Sequence, residues 1–137
     1  MRRILILLAA SIALPAIAAT PVKMSTVLVA ANEVPGPGQG SGSADLTFDT
    51  DKGQVCYMLM SQGTDAPTMA HIHKGIAGVA GGVVVPLTPP DKSGMSQACA
   101  PVAPDLMAAI LASPSDYYVN IHTAAFPKGA MRGQLKK

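Results

Sequence analysis

The chain has 137 residues, with ten Lys and Arg against eight Asp and Glu and no charge run beyond the pairs Arg2-Arg3 and Lys136-Lys137. That balance leaves no basic footprint for a nucleic acid and no acidic tail. With three histidines and two cysteines in the whole chain, the position of each carries information.

Met1-Arg2-Arg3, the apolar run from Ile4 to Ile12 and the small residues Ala16-Ile17-Ala18-Ala19 have the pattern of a secretory signal peptide over residues 1–19. The run is short and Pro15 interrupts it, so no stable membrane anchor is expected. One exported domain over residues 20–137, periplasmic or secreted, is expected to remain. Without Arg2 and Arg3 its formal charge is eight against eight, that is, neutral. In an oxidising compartment Cys56 and Cys99 are expected to form a disulfide. Their wide spacing and the lack of a CxxC motif argue against a thiolate metal site or redox pair.

In chain order, Met24 to Ala31 reads as a strand ended by Asn32-Glu33-Val34-Pro35. Gly36 to Gly42 reads as a flexible loop, because Gly and Pro suit neither element interior. Ser43 to Asp49 alternates Ala44, Leu46 and Phe48 with polar residues, a half-buried strand. Thr50 to Gly53 is a turn, and Gln54 to Ser61 returns as the second arm of a hairpin. Thr68 to His73 is a strand carrying two histidines, followed by a Gly/Ala loop from Lys74 to Gly82. Val83 to Leu87 and Met95 to Cys99 are short strands around the turn Thr88 to Gly94. Pro104 to Ala112 is the one helix, with Pro and Asp in its first turn and Leu106, Met107, Ile110 and Leu111 at helical spacing. Tyr117 to Thr123 is a second histidine strand, and Ala130 to Leu135 pairs back to it after the loop Phe126 to Gly129. About seven short strands and one short helix point to an all-β antiparallel fold of Greek-key sandwich or barrel type.

The alternation of side chains along a strand puts His71 and His73 on one face and Ile72 on the other. It likewise groups His122 with Asn120 and Tyr118, opposite Val119 and Ile121. The apolar residues mark the core side, so the imidazoles are expected to face outward or into a polar cavity. If the two strands are neighbours, the three imidazoles converge into a first-row transition-metal site. Met69 shares the face of His71 and His73, and a thioether beside imidazoles favours copper over zinc. Asn120, Tyr118 and Thr123 are candidates to orient the imidazoles through their second nitrogens, although Tyr118 could instead cover the site and is read first as packing. The remaining mature methionines show no ligand spacing and are expected mostly in the core.

Four motifs in order, Asn32-Glu33-Val34-Pro35, Ala70-His71-Ile72-His73-Lys74-Gly75, Tyr118-Val119-Asn120-Ile121-His122-Thr123 and Met131-Arg132-Gly133-Gln134-Leu135, resemble the CHRD domain. The resemblance spans Val27 to Leu135. It implies an immunoglobulin-like β-sandwich of the kind repeated in chordin, a growth-factor-binding protein, and found alone in exported microbial proteins. Met69 and Met131 depart from its usual residues. The same motifs single out Glu33 and Arg132 as a structural ion pair. The His-x-His strand is also similar to the copper-ligand strand of copper/zinc superoxide dismutase, an analogy of one strand only.

The reading is an exported metal-binding protein, with copper, as Cu(I) or Cu(II), held by His71, His73 and His122 and with Met69 as a further candidate ligand. Zinc is the alternative metal. Its role would be binding, storage or delivery, the last with a protein partner. A metal-free extracellular interaction module is the second reading. A small metalloenzyme is the third, for which Asp65 or Asp116 would have to supply a base. No catalytic residue is assigned.

Overall fold

A computed structural model describes residues 18–137. The expected leader, residues 1–19, lies outside the described residues but for its last two. Strands β1 (Val22–Val29), β2 (Ser41–Asp49) and β3 (Gln54–Gln62) form an antiparallel meander. Strands β4 (Pro67–Lys74) and β5 (Gly82–Leu87) follow as a hairpin, then β6 (Met95–Pro101). Helix α1 (Pro104–Ala112) leads to β7 (Tyr117–Thr123) and β8 (Met131–Gln134). One-turn 3₁₀ helices at Ala30–Asn32 and Pro114–Asp116 complete the set.

The strands join in the order β5-β4-β7-β8-β1-β2-β3-β6, one eight-stranded antiparallel sheet. The all-β antiparallel fold with one helix is as expected, but the strands number eight, not about seven, and hydrogen-bond into one sheet where an immunoglobulin-like sandwich was expected. The ladder is carried from β8 to β1 by the rung Val29–Arg132, so two four-stranded halves become one sheet. Met95–Pro101, short and weakly apolar, is a full strand because it pairs along its length with β3. The outer strands β5 and β6 are drawn together at the turn between them. Ser96 Oγ donates to the Thr88 carbonyl at 2.8 Å, and the Asp91 N–H donates to the Met95 carbonyl at 3.1 Å. The sheet is thereby nearly closed.

Register sets which side chains meet. In the β1-β2-β3-β6 half, the rungs Met24–Leu46–Tyr57–Ala98 and Val22–Phe48–Val55–Ala100 face inward. The rungs between them, Lys23–Thr47–Cys56–Cys99, Ser25–Asp45–Met58–Gln97 and Val27–Ser43–Met60–Met95, face outward because strand side chains alternate. The first of these holds the expected disulfide, with Cys56 and Cys99 directly opposite each other. From the other half Ile72, Val85, Val119 and Ile121 join the same hydrophobic core, and α1 adds Met107 and Ile110.

Two expectations need correction. The Gly-rich segment before β2 is tied down: the Gly38 N–H donates to the Ala30 carbonyl and the Gln39 N–H to the Ala130 carbonyl. Gly42 lies within β2, and a Cβ there would press on the Met60 carbonyl and the Met131 sulfur. Met131 therefore fills room that the glycines leave. The methionines also divide. Met24, Met107 and Met131 are core, while Met60 and Met95 are 50% and 43% exposed and Met58 is half-buried. The reason is parity, since Met58 and Met60 share the outward face of β3 with Cys56.

Candidate metal centre

β4 and β7 are hydrogen-bonded neighbours, which brings the histidines onto one patch. The register sets Met69 opposite His122, His71 opposite Asn120 and His73 opposite Tyr118. On the far side Ile72, Val119 and Ile121 are fully buried in the core, as alternation requires. The three imidazoles lie close together, with ring centroids 5.4 Å apart for His71 and His73, 5.0 Å for His71 and His122 and 5.9 Å for His73 and His122. One nitrogen from each lies within 4.8 Å of the other two. His71 Nδ1 and His122 Nε2 are 3.1 Å apart. Two nitrogens bound at 2.0–2.1 Å to one tetrahedral ion sit about 3.3 Å apart, so this pair already has ligand spacing.

The histidine face is less open than expected. His73 and His122 are buried, and only His71 is half-buried. Loops fold over the outer side of β7, whose residues are all buried. Those loops supply the orienting bonds. His73 Nδ1 lies 2.9 Å from the Gly81 carbonyl and His122 Nδ1 lies 3.1 Å from the Pro127 carbonyl. A carbonyl only accepts, so in each ring Nδ1 carries the proton and Nε2 keeps its lone pair. Neutral His122 then accepts from His71 Nδ1–H. The Nε2 of His73 is buried without a hydrogen-bond partner. Buried polar atoms are normally satisfied, and a lone pair left free beside two other imidazoles suits a ligand role.

Burial pushes all three imidazoles below their ordinary pKa. For His122 the value falls to about 4, because desolvation outweighs the Pro127 hydrogen bond and because His71, His73 and Arg132 add positive charge nearby. For His73 burial acts first against the Gly81 bond, and for His71 burial acts alone. The imidazoles are thus neutral at pH 7, the form that binds metal.

The second ring nitrogens of His73 and His122 are held by backbone carbonyls and not by the candidates Asn120 and Thr123, which is a correction, and Tyr118 holds none either but packs, as expected. Tyr118 instead stacks on His73, with centroids 4.8 Å apart and planes within 5°. Thr123 lies on the opposite face by alternation, and its Oγ1 accepts the Phe126 N–H in the turn that presents Pro127. Asn120 turns its amide to the Glu33 carboxylate and to the Met131 carbonyl.

Behind Tyr118 lies Arg132, its guanidinium carbon 4.2 Å from the ring centroid. Arg132 and Glu33 form a buried ion pair, with both Nε and Nη2 2.9 Å from Oε2. Burial pushes the Glu33 carboxyl up, against the lowering effect of Arg132. Arg132 Nη1 also donates to the Val79 carbonyl at 3.0 Å, and the Gly81 N–H donates to Tyr118 Oη at 3.0 Å. The loop from Gly75 to Gly81 is therefore clamped onto the His73 side of the site. Gly129 closes the other side at φ 141°, where a Cβ would run into the Glu33 carboxylate and the Asn120 amide. The sequence reading missed the roles of Gly81, Pro127 and Gly129. Their signal was the glycine content of the two loops that follow the histidine strands.

Met69 is 44% exposed beside His122. Asp65 and Asp116, the acids considered as bases, do not join the histidine group, which among the described residues holds no carboxylate. The donors are thus neutral imidazoles with a thioether at the margin. Exposed Ile76, Val79 and Val83 lie on the loop and strand beside His73. Among the described residues no helix is long and apolar enough to cross a membrane.

No curated protein and no solved structure matches this chain. The family model of the CHRD domain matches residues 24–135, a span that holds all three histidines, the Glu33–Arg132 pair and the disulfide, and the chain belongs to the CHRD domain family.

Proposed function

We propose that this protein binds one transition-metal ion through His71, His73 and His122, and that the ion is copper. The observation that carries this is the tethering of two of the rings. Carbonyls of Gly81 and Pro127 hold the Nδ1 atoms of His73 and His122, so their Nε2 lone pairs are directed to the cluster shared with His71. Metal-bound histidines are characteristically fixed by such a bond on the second nitrogen. On binding, the proton of His71 Nδ1 would pass to its Nε2, freeing Nδ1 as the ligand.

Copper is favoured over zinc by the donor set. Imidazole nitrogens suit either metal, but the soft thioether of Met69 lies opposite His122. Three protein ligands leave room for a fourth, either Met69 or a donor from a partner. That suits storage or delivery of copper outside the cytoplasm. Residues 1–19 support export by their pattern, and the disulfide suits an oxidising compartment.

The test is a titration of the protein and of a His122→Ala variant with Cu(I), Cu(II) and Zn(II) against competing chelators, alongside metal analysis after purification. One tight equivalent of copper, weakened at least a hundredfold in the variant, is the expected result. Equal binding by both proteins, or none, would overturn the proposal. A histidine site that prefers zinc would keep the ligands and remove copper.

A further inference from the structure

The second concentration of soft donors lies on the opposite half of the sheet. Met58 and Met60 stand two residues apart on the outward face of β3. Met95 on β6 is the direct cross-strand partner of Met60. On the β2 side the neighbours are small or anionic: Ser43 beside Met60 and Asp45 beside Met58. Nothing in that row covers the pair, and Met60 and Met95 remain 50% and 43% exposed. They share their rung with exposed Val27 and small Ser43, on a face that also carries Lys23, Ser25, Thr47, Gln97 and the disulfide.

Directly opposite residues of an antiparallel pair have Cβ atoms about 4.5–5.5 Å apart, and diagonal neighbours lie about 7–8 Å apart. Methionine has three rotatable bonds beyond the backbone, enough to bring three sulfurs from such a triangle onto one ion. Thioethers are soft, uncharged and cannot be protonated. They select Cu(I) or Ag(I) over Zn(II), whose sulfur ligands are thiolates, and over Mg(II) and Ca(II), which take oxygen. Asp45 adds one negative charge beside Met58 to offset a monovalent cation.

We infer that Met58, Met60 and Met95 form a second site, which takes a soft monovalent cation, Cu(I) being the biological candidate. It shares no residue with the histidine cluster and does not depend on that cluster binding metal.

The test uses Ag(I), which undergoes no redox change, and protein labelled with ¹³C at the methionine methyl groups. Resonances are assigned with Met58→Leu, Met60→Leu and Met95→Leu variants. The expected result is that the methyls of Met58, Met60 and Met95 shift together with Ag(I) and, in a His122→Ala protein whose histidine cluster no longer competes, saturate at one equivalent. Those of Met24, Met107 and Met131 stay in place, and Zn(II) moves none of the three. A Met60→Leu/Met95→Leu protein should bind Ag(I) at this site at least tenfold more weakly. A His122→Ala protein should keep the three shifts unchanged, so that failure of the histidine site leaves this result readable. Unmoved methyls, shifts only at millimolar Ag(I), or undiminished binding in the double variant would overturn the inference.

Discussion

The two halves of the sheet use the same strand geometry to different ends. In the β1-β2-β3-β6 half, alternation sorts residues simply: alternate rungs are core, and those between them face outward. In the β5-β4-β7-β8 half, β7 is buried on both faces, because loops from three parts of the chain close over its outer side. That outer face is not apolar. It holds His73, Asn120, His122, Glu33 and Arg132, all buried and nearly all engaged by hydrogen bonds. Burying polar groups costs free energy even when they are satisfied, and an apolar filling of the same shape is often as stable or more so. The half that bears this cost is the half with the candidate site, whereas the other half is fastened by a disulfide.

The largest expected effect is in the polar half. Arg132→Ala leaves Glu33 buried without its cation and removes the support behind Tyr118 and Val79. Breaking one partner of a buried ion pair costs about 3–5 kcal/mol. Urea denaturation of the apoprotein should show a loss of that size, and a loss under ~1 kcal/mol would mean that the pair supports little.

The disulfide offers the matching cut in the other half. A Cys56→Ala/Cys99→Ala protein opens a loop of sequence separation 43, and typical losses for such a bridge are about 2–4 kcal/mol. Copper affinity should change less than twofold, because the bridge and the histidines lie on different rungs of different halves. A parallel fall in affinity would show that the halves are coupled.

Acid should act mainly on the histidine half. An imidazole whose folded pKa lies below its ordinary 6.5 binds protons more readily when the chain is unfolded. Stability is therefore full above pH 6.5 and falls as the pH drops towards 4, the His122 value. Glu33, raised by burial, contributes in the opposite sense, as one group against three. Thermal melts of the apoprotein from pH 7.5 to 4.5 should decline below pH 6.5. Copper affinity of the folded protein should hold level to below pH 6.5, because protons compete for the imidazoles only at their lowered folded pKa. Replacing the three histidines with glutamine should flatten the melting profile.

The outer limits of legibility follow from the same contrast. Strand and helix bounds were readable to within a few residues where alternation or helical spacing was clean, as in Ser43–Asp49, Pro104–Ala112 and Tyr117–Thr123. Parity also put the three histidines on one face. The joining of the two halves into one sheet was not readable, because it turns on the rung Val29–Arg132 and no local pattern encodes one rung. The groups that orient His73 and His122 were not readable either. They are main-chain carbonyls, present at every residue, and only the folded loops decide which ones arrive. Met58, Met60 and Met95 were misjudged because apolar residues were equated with core, although their place in the alternation of β3 and across from it marked them as outward.

The smallest effect separates the halves most cleanly, because each contains a buried tyrosine doing the same local job. Tyr118 Oη accepts the Gly81 N–H at 3.0 Å, and Tyr57 Oη accepts the Thr88 N–H at 2.7 Å. Changing either to Phe leaves one backbone donor without its partner and should cost about 1 kcal/mol. The two variants should therefore unfold alike. They should differ in copper binding. Tyr118 holds Gly81, whose carbonyl fixes His73, so Tyr118→Phe should weaken copper by about tenfold, as expected for a group that orients a ligand. The Phe ring still stacks on His73, so the loss isolates the hydroxyl. Tyr57 holds only the turn after β5, and Tyr57→Phe should bind copper as the parent does. Equal affinities for the two variants, measured by chelator competition, would show that the clamp on Gly81 does not reach the metal. A loss confined to Tyr118→Phe would place the control of His73 in that loop.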